Sequence, residues 1–316
     1  MKKVVIINHG GELGNQLWNY ASVLAYAREK GYDCVCPAFF QYERFFPKVK
    51  TCFWSKFFFS PLYYFFPHRR NFINRLSNFS QPFRFGRKNL LLAVKSHDEK
   101  NRMELFLLPP SENNSQRQKA ELQKAEEAGS KIIFSGYAFR NPAGMTKYHQ
   151  FLTEYFSPHP EVTLATDEFI AAARKKHDKL VGVHIRQDDY RTFLGGKYYF
   201  SPEQVALILH DFIAKAGLKS VCFVISSDEK IKPEIFSGLN VLFGSGEMME
   251  DIFMLTKTDL IIGSNSSFSI FAAWYGDIPM KIFSAQPIDW SEFLAQKKFF
   301  YDPGAEVNLL HLSPKN

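Results

Sequence analysis

Hydrophobic residues change their period several times along this chain, and each change marks an element. At 181–191 the sequence reads VGVHIRQDDYR, with Val181, Val183 and Ile185 alternating with Gly182, His184 and Arg186. A period of two rich in β-branched residues predicts a strand. It ends in four polar residues, Arg186 to Asp189. A short apolar run at 3–8 predicts a first strand, closed by Asn8, His9, Gly10 and Gly11. Leu17, Tyr20, Ala21, Leu24 and Ala25 then recur at helical spacing, which predicts a helix over 15–30 stopped by Gly31. Further strands are expected at 33–36, 131–135, 221–225, 240–243, 259–263 and 281–283. Helices are expected at 166–177, 201–216, 247–257 and 268–275, with Ser201 as N-cap, Pro202 at the first helical position and Gly217 as the stop. Strands alternating with helices predict an α/β fold of two Rossmann-like domains facing across a cleft. The proline-containing stretch 156–162 divides them into 1–160 and 161–316.

Composition narrows the class. At 316 residues with 46% hydrophobic content, the chain is long and apolar enough for two cores. Lys2 and Lys3 are followed by only four apolar residues before Asn8, too few for a secretory signal. No apolar run approaches the roughly 20 residues of a membrane span. A cytoplasmic protein is therefore expected, peripheral on the membrane at most. The four cysteines are too sparse for a disulfide framework, and Cys34 and Cys36 have no His/Cys pair at zinc spacing. They read as buried, reduced thiols.

Thirty-nine Lys and Arg against 32 Asp and Glu give a net charge of +7, which suits an anionic partner without choosing one. Residues 39–85 interleave aromatics with basic residues. That segment reads as helices with aromatics in the core, or as a surface for anionic lipid carrying Lys56, Arg69, Arg70, Arg75, Arg84, Arg87 and Lys88. No nucleic-acid fold signature accompanies it, so no nucleic-acid partner is expected.

The candidate chemistry lies at strand ends. Ligands of open α/β sheets bind beyond the carboxyl ends of strands. Arg186 stands there, with a planar fork suited to phosphate. A solvated turn with a local Arg–Asp pair fits the same spacing. Ser226, Ser227 and Asp228 end the 221–225 strand, where they read as ligand contacts or as an ordinary helix cap. Asn265, Ser266 and Ser267 open the 268–275 helix, where free N–H groups favour an anion and where capping alone also explains Asn and Ser. The run of short polar residues from Ser264 to Ser267 exceeds what one cap requires. No metal-binding D-x-D stands at a strand end.

The 181–190 segment resembles the H-x-R-R-G-D-Y segment of the α1,2-fucosyltransferases of glycosyltransferase family 11. Residues 10–16, GGELGNQ, resemble that family's G-G-L-G-N-Q turn, and 262–269, IGSNSSFS, its N-S-S-F-S segment. Related segments occur in α1,6- and protein O-fucosyltransferases. Gln187 replaces the second arginine and Asp188 the glycine. The resemblance implies a GT-B arrangement and an inverting transfer of L-fucose from GDP-β-L-fucose to a glycan hydroxyl. It places Arg186 against the diphosphate, His184 near the ribose, and Ser226, Ser227 and Asp228 near the nucleoside. It places Asn265, Ser266, Ser267 and Phe268 by the phosphates and gives Asp189 a structural role. It likens Asp251 to an aspartate of the family's D-L-Y-L-M helix, a solvated helix residue being the other reading. In the first domain, Gly11, Glu12, Gly14, Asn15 and Gln16 would meet fucose and acceptor, with Glu12 as candidate base. Expected partners are GDP-fucose and an oligosaccharide acceptor, lipid-linked if the basic aromatic segment meets a membrane. No cofactor or metal is expected. By analogy with the fold type, the last helix is expected to pack back on the first domain.

Overall fold

The computed structural model describes residues 3–7, 12–49, 60–65, 93–95, 131–135 and 141–299. Basic residues 56, 69, 70, 75, 84, 87 and 88, Gly11, the turn at 136–140 and any helix after 299 lie outside them. The chain forms two compact units that divide between Ser157 and Pro158.

In the first unit, β1 (Lys3–Ile7) leads to α1 (Leu13–Lys30) and β2 (Asp33–Val35). A short helix α2 (Ser60–Phe65), the strands β3 (Ala93–Lys95) and β4 (Lys131–Ser135), and the helices α3 (Pro142–Lys147) and α4 (His149–Tyr155) follow. The sheet is parallel, in the order β2-β1-β4-β3. Gly31 stops α1 in the left-handed conformation, φ 67°, as its position predicts. The helix starts two residues before its expected start, because Glu12 is extended and its carbonyl accepts the Gln16 N–H at 3.1 Å. Gly14, Asn15 and Gln16 are therefore first-turn helical residues and not part of a loop.

The described start of the basic aromatic segment, 39–46, packs aromatics into the core. Phe39, Phe40 and Phe46 are buried, and Tyr20, Phe39, Phe46 and Phe156 meet edge to face or tilted at 5.3–6.4 Å. In α2, by contrast, Phe65 is exposed.

The second unit opens with α5 (Pro160–Arg174), whose Pro160 sits at the first helical position. The prolines at 158–160 thus lead into a helix, which begins six residues before its expected start. The strand β5 (Lys179–Ile185), α6 (Pro202–Ala216), β6 (Val221–Ser227), β7 (Val241–Phe243) and α7 (Met248–Leu255) come next. The chain then forms β8 (Leu260–Gly263), α8 (Ser267–Gly276), β9 (Met280–Ile282) and α9 (Trp290–Ala295). All five strands are parallel, in the order β7-β6-β5-β8-β9. The chain runs outward from β5 through β6 to β7, then returns to lay β8 on the other side of β5. That reversal makes the β5/β8 junction the switch point of the sheet.

Alternation along β5 sorts its side chains onto two faces. Val181, Val183 and Ile185 enter a cluster with Leu209 and Phe212 of α6 and Trp290 and Phe293 of α9. Leu180 enters the opposite cluster with Ile170 of α5 and Met254 of α7. The Trp290 indole N–H donates to Asp211 at 2.8 Å, so the last described helix packs within its own unit. The capping box of α6 forms as its sequence predicts, with Ser201 and Gln204 bonded reciprocally. Cys34, Cys36 and Cys222 are buried.

Helices α7 and α8 approach closely because Gly276 has no side chain. A Cβ there would lie about 2.4 Å from the backbone carbonyl oxygen of Thr256. Gly276→Ala should therefore cost about 1–3 kcal/mol. Calorimetry should show a melting temperature lower by a few degrees, and an unchanged value would contradict this packing.

Candidate functional site

The site grows from the carboxyl end of β5. Parallel pairing sets His184 opposite Ser226 and Gly263, so β5, β6 and β8 finish at one edge. The Arg186 N–H donates to Ser264 Oγ at 2.9 Å, which ties the exit of β5 to the loop after β8. Its Nε donates to Asp189 Oδ1 at 2.9 Å, and its Nη1 lies 3.2 Å from Asp228 Oδ2. Nη2 makes no hydrogen bond among the described residues. Burial works against the charge, but the bond to Asp189 and the charges of Asp228 and Asp189 outweigh it and raise the guanidinium above its usual pKa. A fixed cation whose Nη2 is uncommitted among the described residues stands at the switch point.

Asp228 holds this geometry from both sides, since its Oδ1 also accepts the Gln187 N–H at 2.8 Å. Burial raises its pKa, opposed by that N–H and by Arg186. Gln187 itself is 1% exposed and donates from its amide to the Phe200 carbonyl at 2.8 Å. The side chain at this position turns into the protein. Tyr190 donates to the Asn265 carbonyl at 2.8 Å and ties the same turn to the start of α8.

The serines before and within α8 are largely committed. Ser264 serves Arg186, Ser266 caps Phe268 N–H, and Ser269 faces two carbonyls and His184. The surplus of short polar residues thus has an internal explanation. Asn265 Oδ1 differs, being buried without a hydrogen-bond partner. The His184 ring stacks on Phe268 with centroids 4.9 Å apart, and its Nδ1 lies 3.1 Å from Ser269 Oγ. Burial, and secondarily the charge of Arg186, push its pKa down to about 3, so it is neutral.

On β6, Ser226 and Ser227 also use their hydroxyls internally. Ser227 donates to the Ile185 carbonyl at 2.9 Å, and Ser226 donates to Asp251 Oδ2 at 2.8 Å. Asp251 is buried and not a solvated helix residue; its Oδ1 accepts the Gly246 N–H at 3.3 Å. Among the described residues no group of three or more His, Cys, Asp or Glu is placed to hold a metal ion.

In the first unit, Glu12 is exposed at the start of α1, with the Tyr42 hydroxyl 3.5 Å from its Oε2. Gly14 and Gln16 are buried. Asn15 Oδ1 and both amide atoms of Asn19, one turn on, are buried without partners. Asn19 and Ser269 are the residues that sequence reasoning missed, and the inward turn of Gln187 is the feature it did not foresee. Asn19 was within reach, as a polar residue one turn from Asn15 on the same helix.

No protein-family model matches the sequence, and no curated protein matches it either. Solved structures do match. A structure of POFUT1 in complex with GDP-fucose is 14% identical, with a TM-score of 0.54 over 90% of this chain and 98% of that one. NodZ α-1,6-fucosyltransferase soaked with GDP-fucose is 15% identical, with a TM-score of 0.53 over 90% and 96%. A mutant of Arabidopsis thaliana FUT1 in complex with GDP is 14% identical, with a TM-score of 0.52 over 89% and 70%. The chain has the Rossmann-like α/β fold of these GT-B proteins.

Asp251 gives the site a pH signature. Burial pushes its pKa up to about 6, against about 3.9 unfolded. The folded state then binds this proton more tightly. Its contribution is fully present below about pH 4 and is lost as pH rises through about 6. Asp251→Asn should remove about 1–3 kcal/mol of that loss. Denaturant unfolding at pH 4 and 7 should show a smaller drop in the variant than in the wild type, and equal drops would contradict it.

Proposed function

We propose that this chain transfers L-fucose from GDP-β-L-fucose to a hydroxyl of a glycan acceptor, with inversion and an α1,2 linkage. The observation that carries the proposal is Arg186 at the switch point, fixed by Asp189 and Asp228 with Nη2 uncommitted among the described residues. The fold supports it, being shared with fucosyltransferases whose structures hold GDP-fucose or GDP. In this reading the diphosphate lies between Arg186 and the start of α8. Departure of GDP builds negative charge on its β-phosphate, and a preorganised guanidinium and helix-end N–H groups meet that charge. The nucleoside lies toward His184 and the β6 end. One fixed cation and a helix end supply the positive charge, and the reaction needs no metal.

A weakly active GDP-sugar-binding module is the second reading, suggested by the loss of a second arginine at 187. The inward turn of Gln187 speaks for the enzyme, because a ligand-facing cation is not what that position supplies here. The acceptor hydroxyl loses its proton to Glu12, an exposed carboxylate. A lipid-linked acceptor, and peripheral membrane contact in the cytoplasm, would account for the exposed Leu62 and Phe65 of α2. No described helix is long and apolar enough to cross a membrane.

Two substitutions test the assignment in a GDP-release assay with GDP-fucose and a panel of glycan acceptors. Arg186→Lys loses the fork and should lower turnover about 10²-fold. Glu12→Gln should lower turnover by about 10²–10⁴-fold while GDP affinity stays nearly unchanged. Parental turnover in the lysine variant would remove Arg186 from the diphosphate. A Glu12→Gln rate within a few-fold of parental would place the base elsewhere. Activity should survive a chelator, and loss restored by Mn²⁺ or Mg²⁺ would refute the metal-free reaction.

A further inference from the structure

Ser269, on α8, has no exposed surface, and its hydroxyl faces three polar atoms. The Ser264 carbonyl lies at 3.2 Å, the Ser266 carbonyl at 3.3 Å and His184 Nδ1 at 3.1 Å. A carbonyl oxygen only accepts, whereas a hydroxyl carries one proton and two lone pairs. Both carbonyls also accept backbone N–H groups, from Ser266 and Ile270, yet both stand within reach of the hydroxyl proton, and a hydroxyl that donates to either offers a lone pair to its third neighbour. With the hydroxyl proton on a carbonyl, Nδ1 carries the ring proton and donates it. His184 is neutral, so its other nitrogen, Nε2, carries a bare lone pair. Nε2 has no partner among the described residues. Stacking on Phe268 fixes the plane of the ring, and a ring flip would set a carbon against Ser269 Oγ.

We propose that Ser269 is a positioning residue that holds His184 as its Nδ1–H tautomer, so that Nε2 accepts a hydrogen bond from a donor group of the nucleotide. A ribose hydroxyl and a base amino group share that chemistry. A phosphate oxygen does not, because it meets the lone pair of Nε2 as a second acceptor. Arg186 and the start of α8 then face the diphosphate without His184. The identity of the ligand rests on the GDP-sugar reading above, whereas the tautomer does not.

Long-range ¹H–¹⁵N spectra of protein labelled at its nine histidines test the tautomer directly. The His184 signals are identified by their loss in His184→Gln. In the unliganded wild type, Nδ1 should show the protonated shift and Nε2 the unprotonated one. Ser269→Ala should move the ring toward the Nε2–H form, and Ser269→Thr, which keeps the hydroxyl, should not. An Nε2–H ring in the wild type overturns the proposal, whether or not either variant folds.

Calorimetric titration tests the ligand side. Ser269→Ala should weaken GDP about tenfold, the worth of one hydrogen bond, and leave inorganic pyrophosphate within twofold. Equal weakening of both probes would make Ser269 merely structural and overturn the proposal. Repeating the titration with 2′-deoxy-GDP, 3′-deoxy-GDP and inosine diphosphate separates the donors, since the tenfold effect should vanish for the analogue lacking the donor. Persistence of the effect in all three analogues would overturn the acceptor role of Nε2. A wild type that binds no GDP would defeat the GDP-sugar reading while the spectra still decide the tautomer.

Discussion

A parallel sheet sets the carboxyl ends of its strands side by side, and a guanidinium placed at that edge has to be held there. In the second unit this constraint organises the surroundings of Arg186. A partly buried cation without partners costs several kcal/mol. Asp189 and Asp228 offset that cost from opposite sides, and the second carboxylate also takes the Gln187 N–H. Ser264 takes the Arg186 N–H, and Tyr190 pins the turn to Asn265. The ladder bonds end there, and side chains take over the backbone groups that strands leave open. What remains uncommitted is a donor face with charge already concentrated in it.

The elements that obey a local code were legible in the chain. Ser201, Pro202 and Gly217 bound a helix by capping chemistry, and the alternation Val181, Val183, Ile185 marks a strand because burial on one face demands it. Arg186 was legible as well, because a charge that follows a buried strand has to lie at its end. The direction of a side chain beyond that end follows no period. Gln187 therefore read as a lost ligand cation, whereas its amide is spent on the Phe200 carbonyl. Long-range pairs were illegible for the same reason. Ser226 and Asp251 are 25 positions apart, and His184 and Ser269 are 85 apart. The prolines before Val162 lie where the units divide and also open α5, because proline serves a linker and a first helical turn equally well.

The first unit presents a different economy. Its α1 is buried along most of its length, yet Asn19 is 1% exposed with both amide atoms unpartnered. Buried amides of this kind normally find a protein or water partner, because an unmet one costs about 1–3 kcal/mol. Asn15 lies one turn nearer the helix start with its own oxygen unmet. Among the described residues, Asn15 and Asn19 leave polar atoms uncommitted along the first turns of α1, and Asn265 does so where β8 leads into α8. In both units they follow a parallel strand.

The central claim is that the second unit reads a guanosine diphosphate sugar and that fucose is the sugar transferred. Direct binding of GDP-fucose, measured beside GDP-mannose and UDP-sugars on the full chain without acceptor, tests it most directly. The account predicts saturable binding of GDP-fucose, weaker binding of GDP-mannose and none of the UDP-sugars. Binding of a UDP-sugar as tightly as GDP-fucose, or no binding of GDP-fucose at all, would contradict it.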